Sequence, residues 1–364
     1  SNSDLQYSIL TFMGILSLLL ISSRLLWTEK RIFTFLKLNL VIIVYSTFAS
    51  INKYLDIIPF NSPMLPRYGN EEMYMNSIES GGILGTPALY GQHSMIVALL
   101  FAVFFIVGII YANEQFGRKY LFLGLFLAVI NVFFSVSKAV FFSTVGGICI
   151  ILLLQHRIIR IKPVKRLQQF AIVLIIGISV MFFINRMGLN YVFRRIEIQN
   201  EQIQSRGGVT IQNILNGTAF NRGSAFAEAF RKYESENWFT GYGYGLPANN
   251  RHAFYVDVSI ERGSAHSQIF AVLFIFGWVG FFSFWGIHIT GIRKSYKLTG
   301  NNSAEKMNKI YALFSIVMLI VLISHGITAD NISYPTYFGS SMILIGLSFA
   351  NLNSAKYLML KNQI

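Results

Sequence analysis

A few chemically able residues stand among long apolar runs in this chain. His266 opens one such run, directly after the stretch Arg186 to Ala265. A histidine at that boundary titrates near neutral pH and can serve as a base or hydrogen-bond donor; the plainer role is a solvated or capping side chain. The stretch before it holds eight arginines, Arg186, Arg194, Arg195, Arg206, Arg222, Arg231, Arg251 and Arg262, and one lysine, Lys232. A planar guanidinium binds phosphate or carboxylate through two parallel bonds, which an ammonium cannot do. Most of these arginines are expected to pair with the seven acids of the same stretch, leaving one to three for an anionic ligand.

Arg222 is the first choice among them. Asn221 to Trp238 reads as a helix with Asn221 as its N-cap and Phe226, Phe230 and Tyr233 as its apolar stripe. Arg222 then falls in the first turn, beside free N–H groups and the positive end of the helix dipole, a natural anion site; Glu228 or Glu261 is the alternative partner. The helix is followed by Trp238-Phe239-Thr240-Gly241-Tyr242-Gly243-Tyr244-Gly245. The glycines would let backbone approach a ligand, and the rings of Tyr242 and Tyr244 could stack on sugar faces; a turn with interfacial aromatics is the alternative. The spacing is not that of a dinucleotide-binding turn.

Smaller signals lie elsewhere. Lys138 sits with Ser135 and Ser137 between two apolar runs, either as a snorkelling anchor or as part of an anion site. His93 follows Gly85-Thr86-Pro87 by one turn and is a cavity or helix-packing residue, an ambiguity shared by His325. Arg206, and Arg67 in the segment Asn52 to Thr86, are further candidate anion contacts. No His or carboxylate pair has metal-ligand spacing and the H-E-x-x-H pattern is absent, so neither metal nor cofactor is expected. The single cysteine, Cys149, excludes a disulfide framework and a cysteine-based zinc site.

These residues must be positioned by apolar helices. Charged residues make up 13% of the chain, about half of what a soluble domain carries. That excludes an ordinary cytosolic enzyme or a disordered tail. Nine runs are candidate membrane spans: Leu5 to Trp27, Phe33 to Ile51, Pro87 to Tyr111, Tyr120 to Phe134, Ala139 to Gln155, Leu167 to Asn185, His266 to Ile292, Ile310 to Thr328 and Tyr337 to Leu352. The fourth and fifth are short and read as a tight helical hairpin. Loops on one side hold 17 Lys and Arg against three acids, which marks them cytoplasmic. The outer segments hold 12 against 13, with nine Arg to three Lys. The net charge of +14 is therefore a topology signal and implies no nucleic-acid partner. The expected fold is all-α: a polytopic membrane bundle of about nine or more spans, forming one transmembrane domain over residues 1–364. The large, partly helical periplasmic loop, 186–265, lies between spans six and seven. The start Ser1-Asn2-Ser3 reads as a processing or tag scar.

In this order the pieces resemble the bacterial O-antigen polymerase/O-antigen ligase superfamily (Wzy- and WaaL-like proteins). The resemblance runs from about Gly81 to Gly280. It rests on Arg222 in a loop helix, then Gly241-Tyr242-Gly243, then His266-Ser267-Gln268 opening a span, with Gly277 and Gly280 at the family's spacing after the histidine. Ser135-Val136-Ser137-Lys138 resembles a family Ser-x-Ser-Arg, with Lys in place of Arg, and Gly81 to Gly91 resembles a Gly-rich entry to a span. The resemblance implies a GT-C-like, metal-independent glycosyltransferase of the bacterial inner membrane. It would work on the periplasmic face and use undecaprenyl-pyrophosphate-linked glycan as donor. Arg222 and His266 would be catalytic; Lys138, Arg206, Arg67, Tyr242, Tyr244 and His93 would bind substrate. The leading expectation is a polymerase of surface polysaccharide, with membrane lipids and a chain-length-regulating co-polymerase as partners. The alternatives are a ligase that transfers glycan to lipid A core, and, from another class, a lipid-linked oligosaccharide transporter.

Overall fold

The computed structural model describes residues 17, 19–21, 29–55, 87–107, 117–135, 138–159, 168, 171, 172, 175, 179, 239, 268–302, 304, 306–328 and 342–346. Among these residues the regular structure is helical, with no strand. Six helices are defined: α1 (Glu29–Leu55), α2 (Pro87–Ile106), α3 (Arg118–Phe134), α4 (Lys138–Leu154), α5 (Gln268–Thr299) and α6 (Lys306–Thr328). A 3-10 turn, Gln155–Arg157, extends α4.

The segments Phe33–Asn52, Val140–Arg157 and Lys306–Gly326 are long and apolar enough to cross a membrane, and Tyr90–Ile106 is a shorter apolar helix. Three of the nine expected spans are thereby visible as membrane-length helices. The runs Leu5 to Trp27, Leu167 to Asn185 and Tyr337 to Leu352 lie mostly outside the described residues, as does the segment 186–265 apart from Phe239.

The chain divides into two compact units. One comprises Ser1–Ser23, Ile196–Thr290 and Leu322–Gly346; the other comprises Arg24–Arg195, Gly291–Val321 and Leu347–Ile364. In the second unit α2 is packed by α1, α3 and α4, and its residues from Ser94 to Ile106 are buried except Ile96. Such all-round burial fits a helix that is apolar on every face. Gly124 allows the close approach of α3: a Cβ there would stand 2.5 Å from the Phe101 ring of α2.

Helix α1 shows why this packing belongs in lipid. Leu38, Val41, Tyr45 and Phe48 are exposed along one stripe, while Asn39, Ser46, Thr47, Ser50 and Asn52 are buried. Apolar outside and polar inside reverses the order of a water-soluble helix. It is the arrangement expected where the surroundings are hydrocarbon and polar groups must find partners within the bundle.

The hairpin expected from the sequence is present. Helix α3 ends at Phe134, where the Ser135 N–H donates to the Asn131 carbonyl at 3.0 Å and the Ser135 hydroxyl donates to the Val132 carbonyl at 2.7 Å. Helix α4 starts at Lys138, so the connection is short.

Candidate functional site

Of the eight candidate site residues, the structure describes two. Arg222, His266, Arg206, Arg67, Tyr242 and Tyr244 lie outside the described residues. Lys138 is the first residue of α4, described by its backbone alone. His93 lies in the second turn of α2, half-buried, and its Nδ1 is buried with no hydrogen-bond partner among the described residues.

The start of α2 meets the tip of the α3–α4 hairpin. A Cβ on Gly91 would stand 2.9 Å from the Ser135 hydroxyl and 3.2 Å from Val140, so this glycine is where the two elements close on each other. His93 and Lys138 therefore enter from the same end of the second unit. Gly91 closes the Gly81 to Gly91 segment, and Ser135 opens the Ser-x-Ser-Lys segment. Two stretches far apart in sequence thus share one neighbourhood.

Beneath that tip lies a polar network absent from the sequence-based candidates. The Ser50 hydroxyl donates to the Tyr90 hydroxyl at 2.6 Å, and the Tyr90 hydroxyl donates to Asn131 Oδ1. The Asn131 amide donates to Thr47 Oγ1 at 2.6 Å and to the Leu127 carbonyl at 3.0 Å; Thr47 in turn donates to the Ile43 carbonyl at 2.7 Å. Ser50, Tyr90 and Asn131 are fully buried and Thr47 nearly so. Tyr90 and Thr47 each accept once and donate once along it, and the Ser50 hydroxyl also lies 3.0 Å from the Ser46 carbonyl. It ties α1, α2 and α3 together at the end where Lys138 begins α4. The available signal was a lone Asn131 within an apolar run, since a polar residue at membrane depth demands a partner.

The first unit contributes a second feature. Helix α5 is broken at Gly277, whose φ of 62° and ψ of −168° lie in a region open only to glycine. Past the break, the Val279 N–H donates to the Phe239 carbonyl at 3.4 Å. Phe239, the described residue of the Trp238 to Gly245 sequence segment, therefore lies next to the break. Gly280 is also constrained: a Cβ there would stand 2.0 Å from the Phe276 Cβ. An aromatic ladder follows on α5. Trp278 stacks on Phe282 at 5.5 Å and meets Phe281 edge-on at 5.5 Å, and Phe281 meets Trp285 at 6.2 Å.

Among the described residues no group of three His, Cys, Asp or Glu is placed to hold a metal ion.

Residues 123–285 match the family model described as O-antigen ligase. The matched segment runs from α3 to the aromatic ladder of α5. It includes Asn131, Lys138, Arg206, Arg222, Phe239, Tyr242, Tyr244, His266, Gly277 and Gly280, and leaves out Arg67, Tyr90 and His93. No curated protein matches the chain. Over residues 123–285 the chain is thus similar to the O-antigen ligase family, which supports its resemblance to the O-antigen polymerase and O-antigen ligase superfamily.

Proposed function

We propose that the chain is a membrane glycosyltransferase that moves a growing surface glycan from undecaprenyl pyrophosphate onto a lipid-linked repeat unit. The observation that carries this reading is the family match over 123–285, because that segment holds Lys138, Arg222 and His266 together. In the proposed step an acceptor hydroxyl oxygen attacks the anomeric carbon of the donor glycan. The bond from that carbon to the pyrophosphate oxygen breaks, and the lipid pyrophosphate leaves with the electron pair. The hydroxyl proton passes to His266. Arg222 and Lys138 offset the charge growing on the leaving group, a role that cationic side chains fill without a metal. Arg206 and Arg67 hold further phosphate oxygens, and Tyr242 and Tyr244 flank the sugars. His93, with its buried Nδ1 at the same end as Lys138, contacts the donor. The reaction takes place on the periplasmic face of the inner membrane, where a co-polymerase sets chain length.

A ligase is the second reading, and the family match is equally compatible with it. It shares the donor and the leaving group and differs in the acceptor, lipid A core. The transporter alternative has no support in the match. Purified protein incubated with lipid-linked repeat units separates the three. Polymer formed without lipid A core indicates the polymerase. Product formed only with the core indicates the ligase. The absence of any glycan transfer overturns both.

A further inference from the structure

Arg157 ends the membrane-length segment Val140–Arg157, so its charge stands where apolar surroundings give way to water. Its guanidinium is pinned against the end of α5. The guanidinium carbon lies 3.7 Å from the centre of the Tyr296 ring. Nη1 donates to the Tyr296 hydroxyl at 2.7 Å, Nε to the Thr299 hydroxyl at 3.1 Å, and Nη2 to the Tyr296 carbonyl at 3.4 Å. Gly300 leaves room for it, since a Cβ there would stand 2.6 Å from Nη2.

These partners are all neutral. Among the described residues they are its hydrogen-bond partners, and they take three of the five guanidinium donors. No Asp or Glu occurs in the sequence between residues 115 and 196 or between 262 and 304. Further cations surround the clamp instead, with Arg293 and Lys297 exposed on the turns flanking Tyr296. One turn back from Arg157, Leu153 is 68% exposed. A fixed cation at the headgroup level, with an apolar surface directly inward of it, matches a molecule that is anionic at one end and hydrocarbon at the other.

We infer that Arg157, clamped by Tyr296 and Thr299 and flanked by Arg293 and Lys297, forms a binding site for the phosphate of an anionic phospholipid, with an acyl chain lying along Leu153. The clamp orders the arginine in advance, so the lipid does not bear the cost of immobilising a long side chain. Free phosphate would gain the charge contact and lose the apolar one. An acidic peptide would have to sit at the level of the bilayer surface.

The test uses the full chain in neutral detergent, with lipid retention read by native mass spectrometry and by the shift of the thermal midpoint. Phosphatidylglycerol should be retained and raise the midpoint, phosphatidylcholine much less, and inorganic phosphate at the same concentration not at all. Arg157→Gln should weaken phosphatidylglycerol binding about five-fold, the effect of one cation at a lipid surface. The double variant Arg293→Gln/Lys297→Gln changes only exposed side chains. It should also weaken binding, and it keeps the test available if Arg157→Gln misfolds. Equal binding by wild type and the folded variants overturns the site. So does equal binding of phosphatidylcholine, and an equal midpoint rise from inorganic phosphate or from a poly-glutamate peptide overturns the lipid as occupant.

Discussion

The Val279 N–H donates to the Phe239 carbonyl, and this bond holds Phe239 to α5 beside the break at Gly277. The break is what makes the donor available. In an unbroken helix the Val279 N–H would bond the carbonyl four residues earlier. With Gly277 out of helical geometry, that group turns outward and a carbonyl from a distant stretch takes it up. One glycine thus frees the N–H that binds Phe239.

Gly277→Ala should consequently uncouple Phe239. An L-residue at φ 62° costs about 1–3 kcal/mol, so the helix would straighten or the protein would lose that stability. Glycan transfer should fall sharply in membranes containing normal amounts of protein, and the stretch around Phe239 should be cleaved faster by protease. Gly286→Ala is the control: it lies on the same helix with nothing within 4 Å of an added Cβ, and should be neutral or slightly stabilising. Wild-type transfer by Gly277→Ala would remove the break from the mechanism.

The buried network predicts a thermodynamic coupling. Tyr90→Phe leaves Asn131 Oδ1 and the Ser50 hydroxyl each short of one partner and should cost about 1 kcal/mol. Asn131→Leu should cost a similar amount by removing one partner each from Tyr90 and Thr47. Because the two side chains share a bond, the double variant should lose less than the sum. Thermal unfolding of the four proteins in one detergent measures this, and strict additivity would argue against the bond.

Gly124→Ala probes packing alone. The added Cβ would fall 2.5 Å from the Phe101 ring, which is itself fully buried between helices. Overpacking of that kind costs about 1–3 kcal/mol. A drop in the thermal midpoint is expected, with specific activity retained in the protein that stays folded.

The helices were legible where polarity changes sharply along the chain. Ser135 to Lys138 breaks an apolar run, and the hairpin of α3 and α4 turns there. The apolar runs mark spans, and helices continue past them where charge follows. Helix α5 runs to Thr299, beyond the apolar run that ends at Ile292, because Arg293 to Thr299 contains no glycine or proline. Helix α1 starts at Glu29, while its membrane-length segment begins at Phe33, as the apolar run does. Gly277 stood out by its spacing from His266, but only its backbone angles explain it. The network of Ser50, Tyr90, Asn131 and Thr47 was not legible, since these residues come from three helices and each alone resembles ordinary helix composition. Arg222 and His266 rest on motif order alone.

His266 and Arg222 carry the sharpest functional prediction, because their proposed roles fail in different ways. His266→Ala removes the proton acceptor and should abolish polymer ladders on a gel while the protein still reaches the membrane. Arg222→Lys keeps the charge and loses the planar two-bond contact to phosphate, so it should lose most activity and retain some. A loop acting as a scaffold alone would give the same loss for both, through lower protein in the membrane. The location of that loop is checked independently by a reporter inserted between Arg186 and Ala265. A signal from the non-cytoplasmic side is expected. A cytoplasmic signal would part both residues from a donor on the outer face, and the proposed transfer would fall with it.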